Sequence, residues 1–405
     1  MRLVFLTPHF APDVAPTGAV ATRLVAELAE RGHEIEVVTA LPWYREHRIE
    51  AAWRGKLVRF EDTPWGRIAR VHPFPVADKQ SIFKRALAFG GFSMLAAQIA
   101  ARGPNVDVVI AMSPPLTLGV SGWFAARRRD AAFVLNVQDI YPDIVTELGL
   151  LTNKAIVRGL QATERFLYRR ADAVTALSLD QQRNVAGKVP SADVEVIPNF
   201  VDLEVIKPAR KENSYRKEHG LEGKTVVMYA GNIGFSQALE PVIDSAAALT
   251  HDEDVVFVIN GQGATRPALQ AKAADLPNVR FVDLQPSERL GEVLAAADIH
   301  LVPLKRGLSQ SSFPSKVYSI LAAGRPLIAC VDARSALADL IERSGGGVVV
   351  PAEDAESLTK EIRNLIRAPS DLQRMGKAGR RFVQTAASPA AVAESYESLF
   401  KRIAR

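Results

Sequence analysis

The residues with the clearest chemical potential form Ser309-Gln310-Ser311-Ser312-Phe313-Pro314-Ser315-Lys316, which follows the apolar run Ile299–Pro303 and leads into a helical segment, Val317–Ala323. Ser315 has the residue type of an N-cap, which would set the Lys316 ammonium and the hydroxyls of Ser312 and Ser315 beside a positively polarised helix start. Amides, hydroxyls and one ammonium so arranged can hold two phosphates. A capped helix with a solvated lysine is the competing reading. A second stretch, Tyr229-Ala230-Gly231-Asn232-Ile233-Gly234, follows the run Val226–Ala230 and precedes a helical segment near Leu239. Gly231 and Gly234 would let the backbone approach a phosphate, and would equally serve a plain tight turn. No Gly-Lys-Ser/Thr follows, so this is not a P-loop. Ile259-Asn260-Gly261-Gln262-Gly263 and Val196-Ile197-Pro198-Asn199-Phe200-Val201-Asp202 end two further runs, and each alone reads as turn architecture.

These loops need a scaffold that brings strand ends together. Short aliphatic runs at Leu3–Thr7, Ile35–Thr39, Val106–Ala111, Phe133–Val137, Val174–Ala176 and Val194–Ile197 alternate with helical segments, the rhythm of a parallel sheet covered on both faces. The segment Thr22–Arg31 carries Leu24, Val25, Leu28 and Ala29 at helical spacing and stops at Gly32. After Pro198 the pattern becomes charged and irregular, which marks a boundary. Runs at Val226–Ala230, Val255–Asn260, Val279–Val282, Ile299–Pro303, Leu327–Ala329 and Val348–Val350 then build a second α/β sandwich. The expected division is 1–203, 204–385, and a final helix over 386–405 that opens near Pro389, shows an apolar stripe of Val392, Tyr396, Leu399 and Phe400, and packs back towards the first domain. In open parallel sheets ligands bind beyond the carboxyl ends of the strands, where the loops named above lie.

A chain of 405 residues, 48% of them apolar, can bury two cores. Its net charge of +5 suits an anionic partner, a phosphorylated ligand or an anionic membrane surface, without the dense basic blocks of a nucleic-acid tail. The single cysteine, Cys330, lies in an apolar run and reads as a small buried hydrophobe. The first apolar run, Leu3–Leu6, is shorter than the roughly 7–15 residues of a signal-peptide core, so a cytoplasmic location is expected. The uncharged run Ala86–Ala101, with Phe83, Phe89, Phe92 and Met94 and flanked by Lys79, Lys84, Arg85 and Arg102, reads equally as a membrane-interface helix or a buried one. The interfacial reading would make a lipid-linked saccharide the natural acceptor, with peripheral contact to the cytoplasmic face of the inner membrane. Arg127-Arg128-Arg129 reads as a solvated face or an added attraction to such a surface. The first strand leads to Phe10-Ala11-Pro12-Asp13 with no Gly-x-Gly-x-x-Gly turn, which disfavours a dinucleotide dehydrogenase.

Taken in order, Ile197–Asp202, the Gly231 loop, Gly261-Gln262-Gly263, Leu294–Pro303 and Leu321–Ala329 resemble the retaining GT-B glycosyltransferases of the group 1 or family 4 type, over nearly the whole chain. Gln237-Ala238-Leu239-Glu240, Pro314-Ser315-Lys316-Val317-Tyr318 and Val137-Gln138-Asp139-Ile140-Tyr141-Pro142-Asp143 are similar to the subgroup related to WbuB and WcaI. The resemblance implies two Rossmann-like parallel-sheet domains facing across a cleft, with acceptor bound by the first and donor by the second. It implies a hexosyltransferase moving fucose, N-acetylfucosamine or a similar deoxy sugar from a UDP- or GDP-linked donor to a saccharide or a polyprenyl- or glycolipid-linked acceptor. It also implies transfer with retention, in which the leaving diphosphate takes the acceptor's proton. The donor-binding set is then Gly231, Asn232, Gly234, Asn260, Gly261, Arg306, Ser312, Ser315, Lys316 and Ser319. The residues nearest the chemistry are Asp139, Gln138 and Lys316, and the acceptor side is His9, Thr17 and Gly18.

Departures from the family pattern are as telling. Asn232 and Gln237 occupy places where the family carries Arg and Lys, the paired glutamates fall at Ser311 and Ser319, and Gln138 stands where a histidine is usual. Lys316, the loop amides, a helix start and the Arg306 guanidinium would then meet the phosphate charge, with no metal and no cofactor beyond the nucleotide sugar. Asp139 would position the sugar or acceptor, or serve only as a helix cap. His9 would bind a sugar hydroxyl, or sit in its loop without a role in catalysis. Two rival functions fit the same architecture: a UDP-sugar epimerase and a non-catalytic nucleotide-sugar-binding subunit.

Overall fold

A computed structural model describes residues 1–45, 48–75 and 82–404, with the side chains of 82–87 excepted. The chain divides into two compact units, Met1–Asn199 with Pro389–Arg405, and Phe200–Ser388.

The first unit runs β1 (Arg2–Leu6), α1 (Pro16–Glu30), β2 (Glu34–Ala40), β3 (Val58–Thr63), β4 (Gly66–Val71), α2 (Ile82–Ala100), β5 (Val108–Ser113), α3 (Leu116–Arg128), β6 (Ala132–Val137), α4 (Asp143–Glu147), α5 (Lys154–Arg170), β7 (Ala173–Ala176), α6 (Leu179–Lys188) and β8 (Val194–Val196). Its sheet has the order β3-β4-β2-β1-β5-β6-β7-β8. All pairs are parallel except β3 with β4. β5 and β6 are buried along their whole length, as strands covered on both faces must be. The β3–β4 hairpin is absent from the sequence reading because Arg59, Glu61 and Asp62 interrupt any aliphatic run. α1 begins at Pro16, well before Thr22, since proline is tolerated in a first helical turn.

In α2, Phe92, Ala96 and Ala100 recur at helical spacing and enter the core beside Leu6, Val38 and Val109. The second half of this helix therefore packs one face into the core, as the buried-helix reading expects. Met94 is exposed on the opposite face. Lys79 lies outside the described residues, as do the side chains of Phe83, Lys84 and Arg85. Among the described residues no helix is long and apolar enough to cross a membrane.

The second unit runs α7 (Ser214–Glu218), β9 (Thr225–Ala230), α8 (Glu240–Ala248), β10 (Val255–Asn260), α9 (Arg266–Lys272), β11 (Val279–Val282), α10 (Leu290–Ala296), β12 (Ile299–Pro303), α11 (Lys316–Ala322), β13 (Leu327–Val331), α12 (Ala336–Ser344), β14 (Gly347–Pro351), α13 (Ala355–Ile366) and α14 (Pro369–Ala386). Its six parallel strands have the order β11-β10-β9-β12-β13-β14, which reverses direction between β9 and β12. Asp298 ties the starts of those two strands: its carboxylate accepts from Val226 N–H at 2.9 Å and pairs with the fully buried Arg216 at 2.6 Å. Burial pushes the Asp298 carboxyl up, but Lys211, the Val226 N–H and Arg216 outweigh it and hold the group below the usual range. Cys330 is buried, and burial pushes its thiol up to about 12, as suits a packing residue.

The last helix, α15 (Pro389–Ile403), belongs to the first unit. Val392, Ala393, Tyr396, Leu399 and Phe400 form its buried stripe. The Tyr396 hydroxyl accepts from Asn136 Nδ2 at 2.6 Å, Asn136 Oδ1 accepts from Gln138 Nε2 at 2.7 Å, and Gln138 Oε1 accepts from Asn199 Nδ2 at 2.8 Å. This chain of amides is buried, so each member depends on its neighbour for a partner that water cannot supply. Gln138→Leu would orphan Asn136 Oδ1 and Asn199 Nδ2 at once. It is expected to lower the unfolding free energy by about 2 kcal/mol or more in urea titration, whereas an unchanged midpoint would show that the network adds nothing.

Candidate active site

The direction reversal of the second sheet sets the end of β9 beside the end of β12, the place where open α/β sheets hold their ligands. Tyr229 is the last fully buried residue of β9. Its hydroxyl donates to the Asn232 carbonyl, which leaves the oxygen's lone pairs to accept. Lys316, the first residue of α11, fills that role: Nζ lies 2.7 Å from Tyr229 Oη and 3.8 Å from the ring centroid. The ammonium is thus held by a ring face and a phenol, and among the described residues no carboxylate pairs with it. Burial lowers its pKa to about 7 and raises that of the Tyr229 phenol, which stays neutral. A partly desolvated cation with no counter-charge among the described residues, at a sheet's ligand-binding edge, can receive an anion.

Glycines let the loops close around this cation. A Cβ on Gly231, whose φ is 142°, would stand 2.9 Å from Lys316 Nζ. A Cβ on Gly261 would stand 1.9 Å from the Gly231 carbonyl oxygen, and one on Gly263 2.1 Å from that of Ile233. The loop after β9 therefore lies directly on the loop after β10, stitched by Gly231 N–H to Asn260 O at 2.9 Å and Ile233 N–H to Gln262 O at 2.8 Å. Gly234 N–H donates to Gln237 Oε1 at 3.0 Å, so Gln237 shapes the turn. Asn232 is exposed, with no protein partner for its amide among the described residues. The Asn260 side chain departs from its expected role, because Oδ1 accepts from Tyr215 Oη at 2.9 Å inside the core.

Ser315 also differs from the sequence reading. Its backbone is already helical and its hydroxyl makes no cap bond, so α11 starts uncapped. Ser312, Ser315 and Ser319 are partly buried, and no protein group engages their hydroxyls among the described residues. Arg306 donates to the Ala352 carbonyl at 3.0 Å and is exposed, drawn to the loop after β14. An Asp-x-Asp triplet, Asp252-Glu253-Asp254, precedes β10 and so occupies the opposite end of the strands from Lys316.

In the first unit Gln138 gives both ends of its amide to the buried network described above, which removes it from the reacting groups. Asp139 sits partly buried in the bend after β6; α4 starts only at Asp143, so Asp139 is not its cap. Thr17 and Gly18 open α1, and Gly18 packs against the loop after β1: a Cβ there would stand 2.9 Å from His9 Cβ. His9 Nδ1 lies 2.7 Å from Asp13 Oδ2, and the imidazole stacks on Trp43. Sequence reasoning missed Asp13 and Tyr229 as partners of His9 and Lys316. The only sequence signal for the first was a His and an Asp four apart in one loop, and for the second an aromatic at the end of a strand.

Residues 17–199 match the model of the Glycosyl transferase 4-like domain, and residues 224–368 that of Glycosyl transferases group 1. The Escherichia coli K12 glycosyl transferase WcaI, named for colanic acid biosynthesis, is 29% identical over 384 residues, covering 91% of this chain and 93% of that one. The chain belongs to the glycosyltransferases with this pair of domains. A GDP-mannose-dependent alpha-mannosyltransferase of Mycolicibacterium smegmatis is 26% identical over 393 residues, covering 95% of this chain and 92% of that one. Sucrose-phosphate synthase of Thermosynechococcus elongatus has the same GT-B fold, with a TM-score of 0.77 at 18% identity over 100% of this chain and 99% of that one. Anabaena HepE in complex with UDP-glucose gives 0.72 at 15% identity over 99% and 100%. In this glycosyltransferase the group 1 match contains Tyr229, Gly231, Gly261 and Lys316, whereas His9 and Asp13 precede the first matched residue.

The depressed Lys316 pKa has a signed consequence for stability. Between pH 7 and 10.5 the unfolded lysine keeps a proton that the folded one has lost, so stability rises with pH across that window and the penalty is full below pH 7. Urea unfolding at a series of pH values should show this rise in the wild type and its absence in Lys316→Met. A wild type with the same slope as the variant would place the lysine in ordinary solvent.

Proposed function

We propose that the enzyme transfers a sugar, with retention, from a UDP- or GDP-linked donor held by the second unit to a saccharide or lipid-linked acceptor held by the first, in polysaccharide or glycolipid assembly. The observation that carries the donor assignment is the Lys316 ammonium, which rests on Tyr229 without a carboxylate among the described residues. The match to WcaI supports a polysaccharide role, and fucose, N-acetylfucosamine or a related deoxy sugar is the transferred group in this reading. Donors of both nucleotide types occur among the similar proteins, GDP-mannose by name in one and UDP-glucose in another's crystal.

Glycosyl transfer to a hydroxyl develops negative charge on the departing diphosphate. A cation fixed in a site poor in water stabilises that charge without reorganising, which is where most of such a rate enhancement arises. Lys316 performs this task, with the exposed amide of Asn232 and the hydroxyls of Ser312, Ser315 and Ser319 as hydrogen-bonding groups along the same edge. In this reading no divalent cation is required. The enzyme works in the cytoplasm, and any contact with the membrane surface is peripheral.

Calorimetric titration of UDP and GDP in EDTA tests the donor site. One of the two should bind, and Lys316→Ala should bind it about 10–100-fold more weakly, the range for losing a charge-assisted hydrogen bond. At pH 8, titrations in buffers of different ionisation heat should show net proton uptake in the wild type only, because the bound diphosphate recharges the lysine. Equal affinity of wild type and variant, or binding of neither nucleotide, removes the assignment. The anomeric configuration of the product, read by proton NMR, decides retention.

A further inference from the structure

The charge of the first unit is segregated by face. α2, α3 and α5 cover one side of its sheet, where Phe92, Leu118 and Leu167 share a core with Leu135, Val137 and Val174 of the strands. Ser121 of α3 donates to the Ser93 carbonyl of α2 at 2.7 Å, and Trp123 of α3 meets Phe166 of α5 edge to face, 4.9 Å between centroids. The three helices thus form one continuous layer. Asn136 and Thr175 point to the other side of the sheet, where they meet Tyr396 of α15, as the alternation of a strand requires.

α2 and α3 contain no acidic residue, and α5 contains one, Glu164. Glu164 is fully buried and its carboxylate accepts from Lys188 at 2.6 Å and Tyr168 at 3.0 Å, so it adds no charge to the outer surface. Arg127 and Arg128 of α3 are exposed, as are Lys154, Arg158, Arg165, Arg169 and Arg170 of α5, and among the described residues no carboxylate pairs with any of them. Arg129 differs: it is buried and held by Glu36 at 2.8 Å. The exposed acid that follows α3 is Asp130. In the opposite layer the signs are mixed, with Arg23, Glu27 and Glu30 on α1, and Glu394, Glu397, Lys401 and Arg402 on α15. Seven exposed cations therefore gather on one face of a chain whose net charge is only +5.

The same layer shows apolar tips to solvent. Met94, Phe124 and Ile156 are exposed, and the Arg170 guanidinium lies 5.7 Å from the ring centroid of the half-buried Phe166. Long cationic side chains around aromatic and aliphatic tips suit the boundary between anionic head groups and acyl chains, because the charged ends reach phosphates while the tips enter the apolar side. A polynucleotide would meet the same cations and leave Met94 and Ile156 against water.

We propose that the outer face of α2, α3 and α5 docks on the anionic surface of a phospholipid bilayer. This deepens the peripheral contact read above, and rests on that reading for its purpose, an acceptor carried on a lipid. The attachment is reversible and is the sum of weak parts, about fivefold in affinity for each basic residue near the surface, screened as salt rises.

The test is co-flotation of the full chain with vesicles of phosphatidylcholine, alone or with about 30% phosphatidylglycerol. The wild type should float with the anionic vesicles only. A triple variant, Arg165→Glu, Arg169→Glu and Arg170→Glu, should bind them at least about tenfold more weakly, and Phe124→Ser at least about threefold. Lys360→Glu, Arg367→Glu and Lys377→Glu together remove as many exposed cations from the second unit and should bind like the wild type. No binding to anionic vesicles, a triple α5 variant or Phe124→Ser that binds like the wild type, or an equal loss in the second-unit variant overturns the proposal. So does a wild type that takes a DNA oligonucleotide in preference to the vesicles. Flotation needs no donor: a chain that binds UDP or GDP and ignores the vesicles strikes this face alone, and one that floats through α5 yet binds neither nucleotide strikes the donor reading alone.

Discussion

The Lys316 ammonium lies on the ring and hydroxyl of Tyr229, and the carboxyl edge of the second sheet is built around that contact. Nζ can reach the phenol only because Gly231 has no Cβ to stand in its way. Gly231 can take its left-handed conformation beside the cation only because Gly261 leaves room for its carbonyl. The Tyr229 hydroxyl can accept from the lysine because it spends its own hydrogen on Asn232 O. None of these residues carries charge except the lysine. The strands supply the alignment: β9 presents Tyr229, and the segment after β12 presents Lys316, on the two sides of the direction reversal.

The first unit solves a related problem with a different polarity. Its loop after the first strand fixes an imidazole by a buried carboxylate, where the second unit fixes a cation by a neutral ring. Both rely on a glycine for close approach, Gly18 against His9 and Gly231 against Lys316. Both lie at the carboxyl end of the strand where sheet order turns, so one architectural rule, applied twice, places an oriented imidazole in one unit and a cation in the other.

The parts legible in the sequence were those governed by local pattern. Runs such as Val255–Asn260 and Ile299–Pro303 announce buried parallel strands because both their faces are covered, and the final helix announces itself through Pro389 and the stripe of Val392, Tyr396, Leu399 and Phe400. The β3–β4 hairpin escaped because an edge strand that alternates charge with apolar residues carries no aliphatic signal. At the site, Lys316 and Gly231 were legible as residue types at strand ends. The role of Gln138 was not, since its partners Asn136, Asn199 and, through Asn136, Tyr396 come from three places in the chain and only the folded unit brings them together. Ser315 misled for a related reason: a good cap residue at a helix start forms its bond only if its backbone is extended, and here it is helical.

A half-buried lysine that no carboxylate among the described residues pairs with costs stability that an arginine on the surface would not, and this explains what the arrangement gains. A surface cation keeps its water and meets a phosphate across a high dielectric, where the attraction is weak and screened by salt. Lys316 is half-buried and has shed part of that water in the free protein, so part of the cost of desolvation is met on folding and does not recur on binding. An anion that reaches Nζ then meets a nearly unscreened donor whose direction is set by the Tyr229 ring. The same burial that draws the pKa down to about 7 makes the proton mobile near neutrality, and so would join the charge state of the site to occupancy by an anion. A guanidinium in this position would stay charged at every accessible pH and would have lost that linkage.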